Sequence, residues 1–175
     1  TKKKTGSGGN DCYLYAVTEM HGWRIDMEDA HAAVLDLDGE PNSNIFFAVY
    51  DGHGDDRVSK YAGENLHKRL LSEDDYHERN YDTALKKAFL GTDEDLLAGM
   101  HFSGESETSG TTAVAALLTT DNKIYVANAG DSRSVIDIKG EAKPLSFDHK
   151  PTNEPERARI CAAGGSVESG RVDGN

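Results

Sequence analysis

The chain has 175 residues, with 31 Asp and Glu against 19 Lys and Arg, giving a formal charge of −12 at pH 7. That balance works against gripping a nucleic-acid backbone or lying on an anionic membrane, since both need clustered Lys and Arg, and no apolar run approaches the ~20 residues of a membrane span. The 37% apolar content supports the core of one domain; the two distant cysteines, Cys12 and Cys161, give neither a zinc cluster nor a disulfide framework, which points to a reducing, cytoplasmic or nuclear setting.

Residues 1–12 combine three lysines with Gly, Ser and Asn and lack apolar periodicity, so they read as a flexible lead-in to a domain spanning 13–175. Strand-like runs follow at Tyr13–Val17 and Ala30–Leu37. Ile45–Tyr50 is apolar throughout, as expected of a strand buried on both faces. Val58, Tyr61, Ala62, Leu66 and Leu70 recur at helical spacing, and a second helix carries Tyr81, Ala84, Leu85, Ala88, Phe89 and Leu96. Between Glu73 and Glu107 stand ten acids and three bases, which read as a solvated outer face. Three further strands are expected at Thr111–Thr119, Lys123–Ala129 and Arg133–Ile138, forming an antiparallel meander. A short helix over Glu154–Ala163 has Asn153 and Glu156 in capping-box positions and Gly164-Gly165 as its stop. Strands in blocks with helices between them predict an α+β fold.

Three constellations bear chemistry. Arg24-Ile25-Asp26-Met27-Glu28-Asp29 precedes the second strand, Asp51-Gly52-His53-Gly54 follows the most apolar strand, and Gly130-Asp131-Ser132-Arg133 lies in a bend of the meander. Carboxylates at a strand end suit Mg²⁺ or Mn²⁺, which prefer oxygen ligands. A neighbouring glycine allows its carbonyl to approach an ion, and a histidine can move a proton near neutral pH. Arg24 offers a planar fork for phosphate oxygens. On spacing alone the bland readings stay open: Glu28-Asp29 as surface charge, and the other two segments as glycine turns.

Taken in order, these blocks resemble the PPM, or PP2C-type, metal-dependent serine/threonine protein phosphatases of the eukaryotic, fungal-like branch. The matching segments are Gly22-Trp23-Arg24 with Met27–His31, Phe46–Gly54, Ser109–Ala113, Val126–Arg133, Asp148–Pro151, Glu156–Ile160, Ala163–Val167 and Arg171-Val172. The resemblance implies an antiparallel β-sandwich flanked by helices in four αββα layers, with two Mn²⁺ or Mg²⁺ ions at one end. Asp51 would bridge both ions, Gly52 would ligate one through its carbonyl, and Asp131 matches a position for a further, weaker ion. Glu28 and Asp29 would hold waters bound to the ions. Arg24 would bind the phosphate of a phosphorylated protein substrate, and His53 would protonate the departing oxygen while an activated water attacks.

Two departures from the pattern stand out. Asp55 occupies a position where relatives have Gly, and it could serve as a helix N-terminal carboxylate or disturb a neighbouring loop. The chain also stops before the segments that carry two further metal aspartates in relatives, so the expectation is an N-terminal part of a phosphatase domain, weakly active or inactive alone and open to self-association through uncovered strands. Two other readings compete. One is a non-catalytic, phosphatase-like interaction module. The other is a haloacid-dehalogenase-type phosphatase using Asp36, whose Asp36-Leu37-Asp38-Gly39 is followed by Glu40 rather than the usual Thr or Val.

Overall fold

The computed structural model describes residues 2–40, 43–103 and 109–173, so Glu105 and Glu107 of the acidic stretch lie outside the described residues. In chain order the strands β1 (Lys4–Gly9), β2 (Leu14–Glu19), β3 (Ala30–Val34), β4 (Ile45–Tyr50) and β5 (Gly52–His53) lead into helix α1 (Arg57–Ser72). The single turn α2 (Asp74–His77) and the long α3 (Tyr81–Ser103) follow. Then come β6 (Gly110–Thr111), β7 (Ala113–Leu118), β8 (Ile124–Ala129), β9 (Val135–Ile138) and β10 (Glu141–Pro144). Helix α4 (Glu154–Ala162) and the short pair β11 (Val167–Glu168) and β12 (Arg171–Val172) complete the described chain.

The centre is a four-stranded antiparallel sheet in the order β3-β4-β7-β8. Side chains alternate across a strand, so β4 sends Phe46, Ala48 and Tyr50 toward the helices, where they join one core with Ala62, Leu66 and Leu70 of α1 and Ala84, Leu85 and Ala88 of α3. Phe46 and Tyr50 are both 0% exposed, and each such aromatic contributes roughly 2–3 kcal/mol through burial. Arg69 fastens the two helices together, donating to the Asp95 carboxylate at 2.7 Å and to the Gly91 carbonyl at 3.3 Å. The other face of β4 carries Phe47 and Val49, the latter 48% exposed. There Tyr15 of β2 sets its ring 5.6 Å from that of Phe47.

This is an α+β architecture of antiparallel sheets with helices, as the residue pattern predicts. Several local expectations change. Residues 4–9 are not a flexible lead-in: β1 pairs with β2 along its whole length, Lys4 opposite Glu19 and Gly9 opposite Leu14. The three glycines and one serine of β1 bring few side chains to bury, but their backbone groups satisfy the edge of β2. The Asn10 side-chain oxygen closes the turn by accepting the N–H groups of Cys12 and Tyr13 at 3.0 and 2.9 Å. The meander also breaks after β8, because β9 pairs with β10 instead. At α4, Asn153 occupies the cap position without capping; its amide donates to the Asp148 carbonyl at 3.0 Å, and Glu156 pairs with Arg159 at 2.6 Å. The glycine stop forms as expected, Gly164 donating to the Cys161 carbonyl and Gly165 to that of Ile160, both at 3.0 Å.

Candidate active site

β4 delivers Asp51 at its C-terminal end, and the chain turns at once into β5, which pairs with β6. Thr112, between β6 and β7, locks this junction. Its N–H donates to the Asp51 carbonyl at 2.9 Å, its Oγ1 accepts the Asp51 N–H at 3.3 Å, and the same Oγ1 lies 2.6 Å from the Ser132 hydroxyl. One threonine therefore joins the Asp51 segment to the Asp131 bend. Gly130 makes the close approach possible: it adopts φ +103°, and a Cβ there would stand 2.6 Å from the Thr112 side chain.

The Glu28-Asp29 segment lies against the same junction. The buried Ser59, in the first turns of α1, donates its hydroxyl to the Glu28 carbonyl, and a Cβ on Gly52 would collide with that carbonyl oxygen. Only glycine fits at 52. Asp29 accepts a hydrogen bond from the Gly52 backbone and faces Asp51. Although Asp29 reaches solvent, partial desolvation and, after it, the negative charge of Asp51 hold its carboxyl above the usual carboxylate range. His53 is exposed, with its imidazole edge against Gly110.

The structure thus gathers Glu28, Asp29, Asp51, Gly52 and His53 at one end of the sheet, with Asp131 tied in through Thr112 and Ser132. Asp131 is exposed and its carboxylate lies 3.7 Å from the Lys150 ammonium, which also approaches Asp148 at 3.5 Å. Arg24 is not drawn into this group. It stands exposed on the loop before Asp29, in a turn closed by its N–H to the His21 carbonyl at 2.9 Å, and its guanidinium has no partner among the described residues. Asp55 takes the helix N-terminal role. Its carboxylate accepts the Arg57 N–H at 2.6 Å and the Arg57 Nε–H at 2.7 Å, which holds it below the usual carboxylate range.

No group of three or more His, Cys, Asp or Glu among the described residues is arranged to hold a metal ion. The chemistry of the donors nonetheless fits a hard divalent cation: Asp29 and Asp51 are neighbouring carboxylates, and neither forms an ion pair with Lys, Arg or His among the described residues. Asp36 and Asp38, by contrast, sit in the β3–β4 connection, where Asp38 is fully engaged in hydrogen bonds to Tyr76 and to the Asn44 backbone.

Compared with known proteins, residues 13–175 match the family model described as "Protein phosphatase 2C". The chain belongs to the protein phosphatase 2C family. It is 51% identical over 184 residues to protein phosphatase 2C homolog 2 of Aspergillus flavus, covering 99% of this chain and 42% of that protein. It is 49% identical over 177 residues to protein phosphatase 2C homolog 3 of Schizosaccharomyces pombe, covering 100% and 42%. Among solved structures, a C. elegans sex-determining protein superposes with a TM-score of 0.77 at 26% identity, over 99% of this chain and 41% of that one. A phosphatase from Toxoplasma gondii gives 0.71 at 25% identity, over 99% and 64%. The chain therefore spans less than half the length of the two fungal phosphatase 2C relatives.

Sequence reasoning assigned no role to three residues that organise the candidate site: Thr112, Ser59 and Lys150. Thr112 and Lys150 lie inside segments that carry the family resemblance, but no spacing rule reveals that a threonine hydroxyl will accept the Asp51 N–H. Ser59 left a fainter trace. It is a polar residue on the helix face otherwise occupied by Val58, Ala62 and Leu66, and a buried hydroxyl there needs a partner.

Proposed function

We propose that the full polypeptide carrying this sequence hydrolyses phosphoserine and phosphothreonine in proteins with the help of Mn²⁺ or Mg²⁺. The observation that carries this reading is the Asp29–Asp51 carboxylate pair, set beside His53 at the end of β4 with no ion-pair partner among the described residues, in a chain of the phosphatase 2C family. Asp51 and the Gly52 carbonyl would hold the cations, and Asp131 would contribute to a further one. When bound, such ions lower the pKa of a water and neutralise phosphoryl charge. Arg24, exposed and unpaired among the described residues, would fork onto two phosphoryl oxygens, a geometry that Lys cannot reproduce. Glu28 and Asp29 would orient the attacking water. His53 would donate its proton to the departing serine or threonine oxygen as the P–O bond breaks, so that an alcohol leaves rather than an alkoxide.

The 175-residue segment alone, in which no three ligating side chains converge among the described residues, is proposed to bind these ions weakly. The test is turnover of a phosphothreonine peptide by the full polypeptide, with Mn²⁺ and then with EDTA. Release of inorganic phosphate that needs Mn²⁺ supports the reading. Release that persists in EDTA removes the metal requirement, and no release in either condition removes the activity.

A further inference from the structure

Beside His53 a cavity of about 470 Å³ opens between the first half of α1, the second half of α3 and the β5–β6 pair. Its rim is shared with the proposed reaction site. His53 and Gly110 both line it, and the imidazole packs so closely that a Cβ on Gly110 would stand 2.8 Å from Nε2. Val58 and Ala62 of α1 and Leu96 and Leu97 of α3 supply apolar walls. Tyr50 and Thr92 also border it; both residues are at least nine-tenths buried, and their hydroxyls are sealed from solvent with no hydrogen-bond partner among the described residues. Asp93 adds a carboxylate.

We infer that this cavity receives a bulky apolar side chain of the substrate protein, close in sequence to the phosphorylated residue; the inference rests on the phosphatase reading above. A proton donor must face the leaving oxygen, so the phosphorylated residue lies over His53. Extended chain advances about 3.3–3.6 Å per residue. A neighbour one or two positions away therefore comes over the cavity mouth. The walls favour Leu, Phe or Tyr through burial of apolar surface. Asp93 opposes Glu or Asp at the same position.

The test uses the full polypeptide and phosphothreonine peptides that differ only at the two positions on either side of the phosphorylated residue, carrying Leu, Phe, Tyr, Gly or Glu. At one of those positions the three bulky residues should raise kcat/KM about tenfold over Gly, the scale of discrimination that an apolar pocket supplies, and Glu should fall below Gly. Leu97 is 50% exposed, so Leu97→Glu places charge at the mouth with little demand on the core. It should bring the Leu-to-Gly ratio down to about one, and Ala62→Met, which narrows the cavity, should do the same. A ratio is unmoved by a defect that slows all peptides equally. Preferences below twofold at all four positions, or a ratio that survives both substitutions, would overturn the inference. p-Nitrophenyl phosphate separates the two levels of argument: turnover of this small ester with flat peptide selectivity removes the pocket and keeps the phosphatase, whereas absence of all turnover removes both.

Discussion

At its N-terminal end β4 meets a polar cluster in which each group is matched. Asn44, buried, donates its side-chain amide to the hydroxyls of Tyr76 and Tyr81 at 2.9 and 3.1 Å, and its side-chain oxygen accepts the Thr120 N–H at 3.1 Å. Asp38 accepts the Tyr76 hydroxyl at 2.5 Å through one oxygen and the Asn44 N–H at 3.0 Å through the other. Burial and then this bond to Asp38 keep the Tyr76 phenol protonated, above the usual tyrosine range. At the opposite end of the same strand, Asp51 faces Asp29, two like charges with no cation between them among the described residues. The first cluster has met its electrostatic demands internally and needs nothing from outside. The second has an unmet demand, and unmet demands of that kind concentrate where ligands bind.

If that division holds, substitutions at the two ends of β4 should separate stability from activity. The largest effect is expected from Asp51→Asn. It should lower kcat of the full polypeptide at least about a thousandfold, or ~4 kcal/mol of barrier, with no loss of thermal stability in EDTA. A fall in Tm comparable to that of a core substitution would show that Asp51 is structural after all. Next comes Asn44→Ala, which strands the Tyr81 hydroxyl and the Thr120 N–H and takes from the Tyr76 hydroxyl one of its two bonds. It should cost about 2–3 kcal/mol in urea unfolding, while kcat well below the melting temperature stays near wild type. An unchanged unfolding midpoint would mean that water replaces the amide.

Ser59→Ala tests the link between helix and site. The Ser59 hydroxyl also lies 3.1 Å from the Asp56 carbonyl, which keeps the Lys60 N–H, so removing it leaves chiefly the Glu28 carbonyl short of a donor, at a cost of about 1 kcal/mol. Because Ser59 steadies the Glu28-Asp29 segment, the Mn²⁺ concentration for half-maximal activity should rise about threefold. A stability loss without that shift would leave Ser59 a core residue only.

The contrast between the two ends of β4 also explains what could be read from residues alone. An unbroken apolar run announced β4 as a buried strand, although its face bearing Phe47 and Val49 is only partly covered, and helical spacing announced the apolar stripe of α1, because burial leaves a mark in the residue pattern. The Asp51-Gly52-His53 segment was legible for a related reason: a metal-prone carboxylate, a glycine and a histidine at a strand end form a rare combination. The matched cluster was not legible. Asn44, Tyr76 and Tyr81 lie up to 37 residues apart, and hydrogen bonds between side chains so distant leave no local spacing. The pairing of β1 escaped notice for the opposite reason: backbone bonds hold a strand that is half glycine. Thr112 belongs to the same class as Asn44, a polar residue whose meaning comes from what the fold places beside it.

The smallest expected effect is the most direct probe of the unmet demand. The Asp29 carboxyl is held above its ordinary range, so between the unfolded and folded pKa values the folded protein binds more protons than the unfolded one. Stability therefore falls as pH rises through that interval, and the penalty is complete above the folded value. Asp29→Asn removes it. In EDTA the variant should match wild type at a pH below the ordinary carboxylate range and melt higher by about 1–2 °C at neutral pH, a modest gain because both carboxylates reach water and are screened. Added Mn²⁺ should then reverse the order at neutral pH, since a cation held at Asp51 stabilises most the protein that keeps the second charge of Asp29 beside it. A wild type that melts higher than Asp29→Asn in EDTA at neutral pH would mean that the pair is already neutralised within the chain, and the two ends of β4 would then be alike.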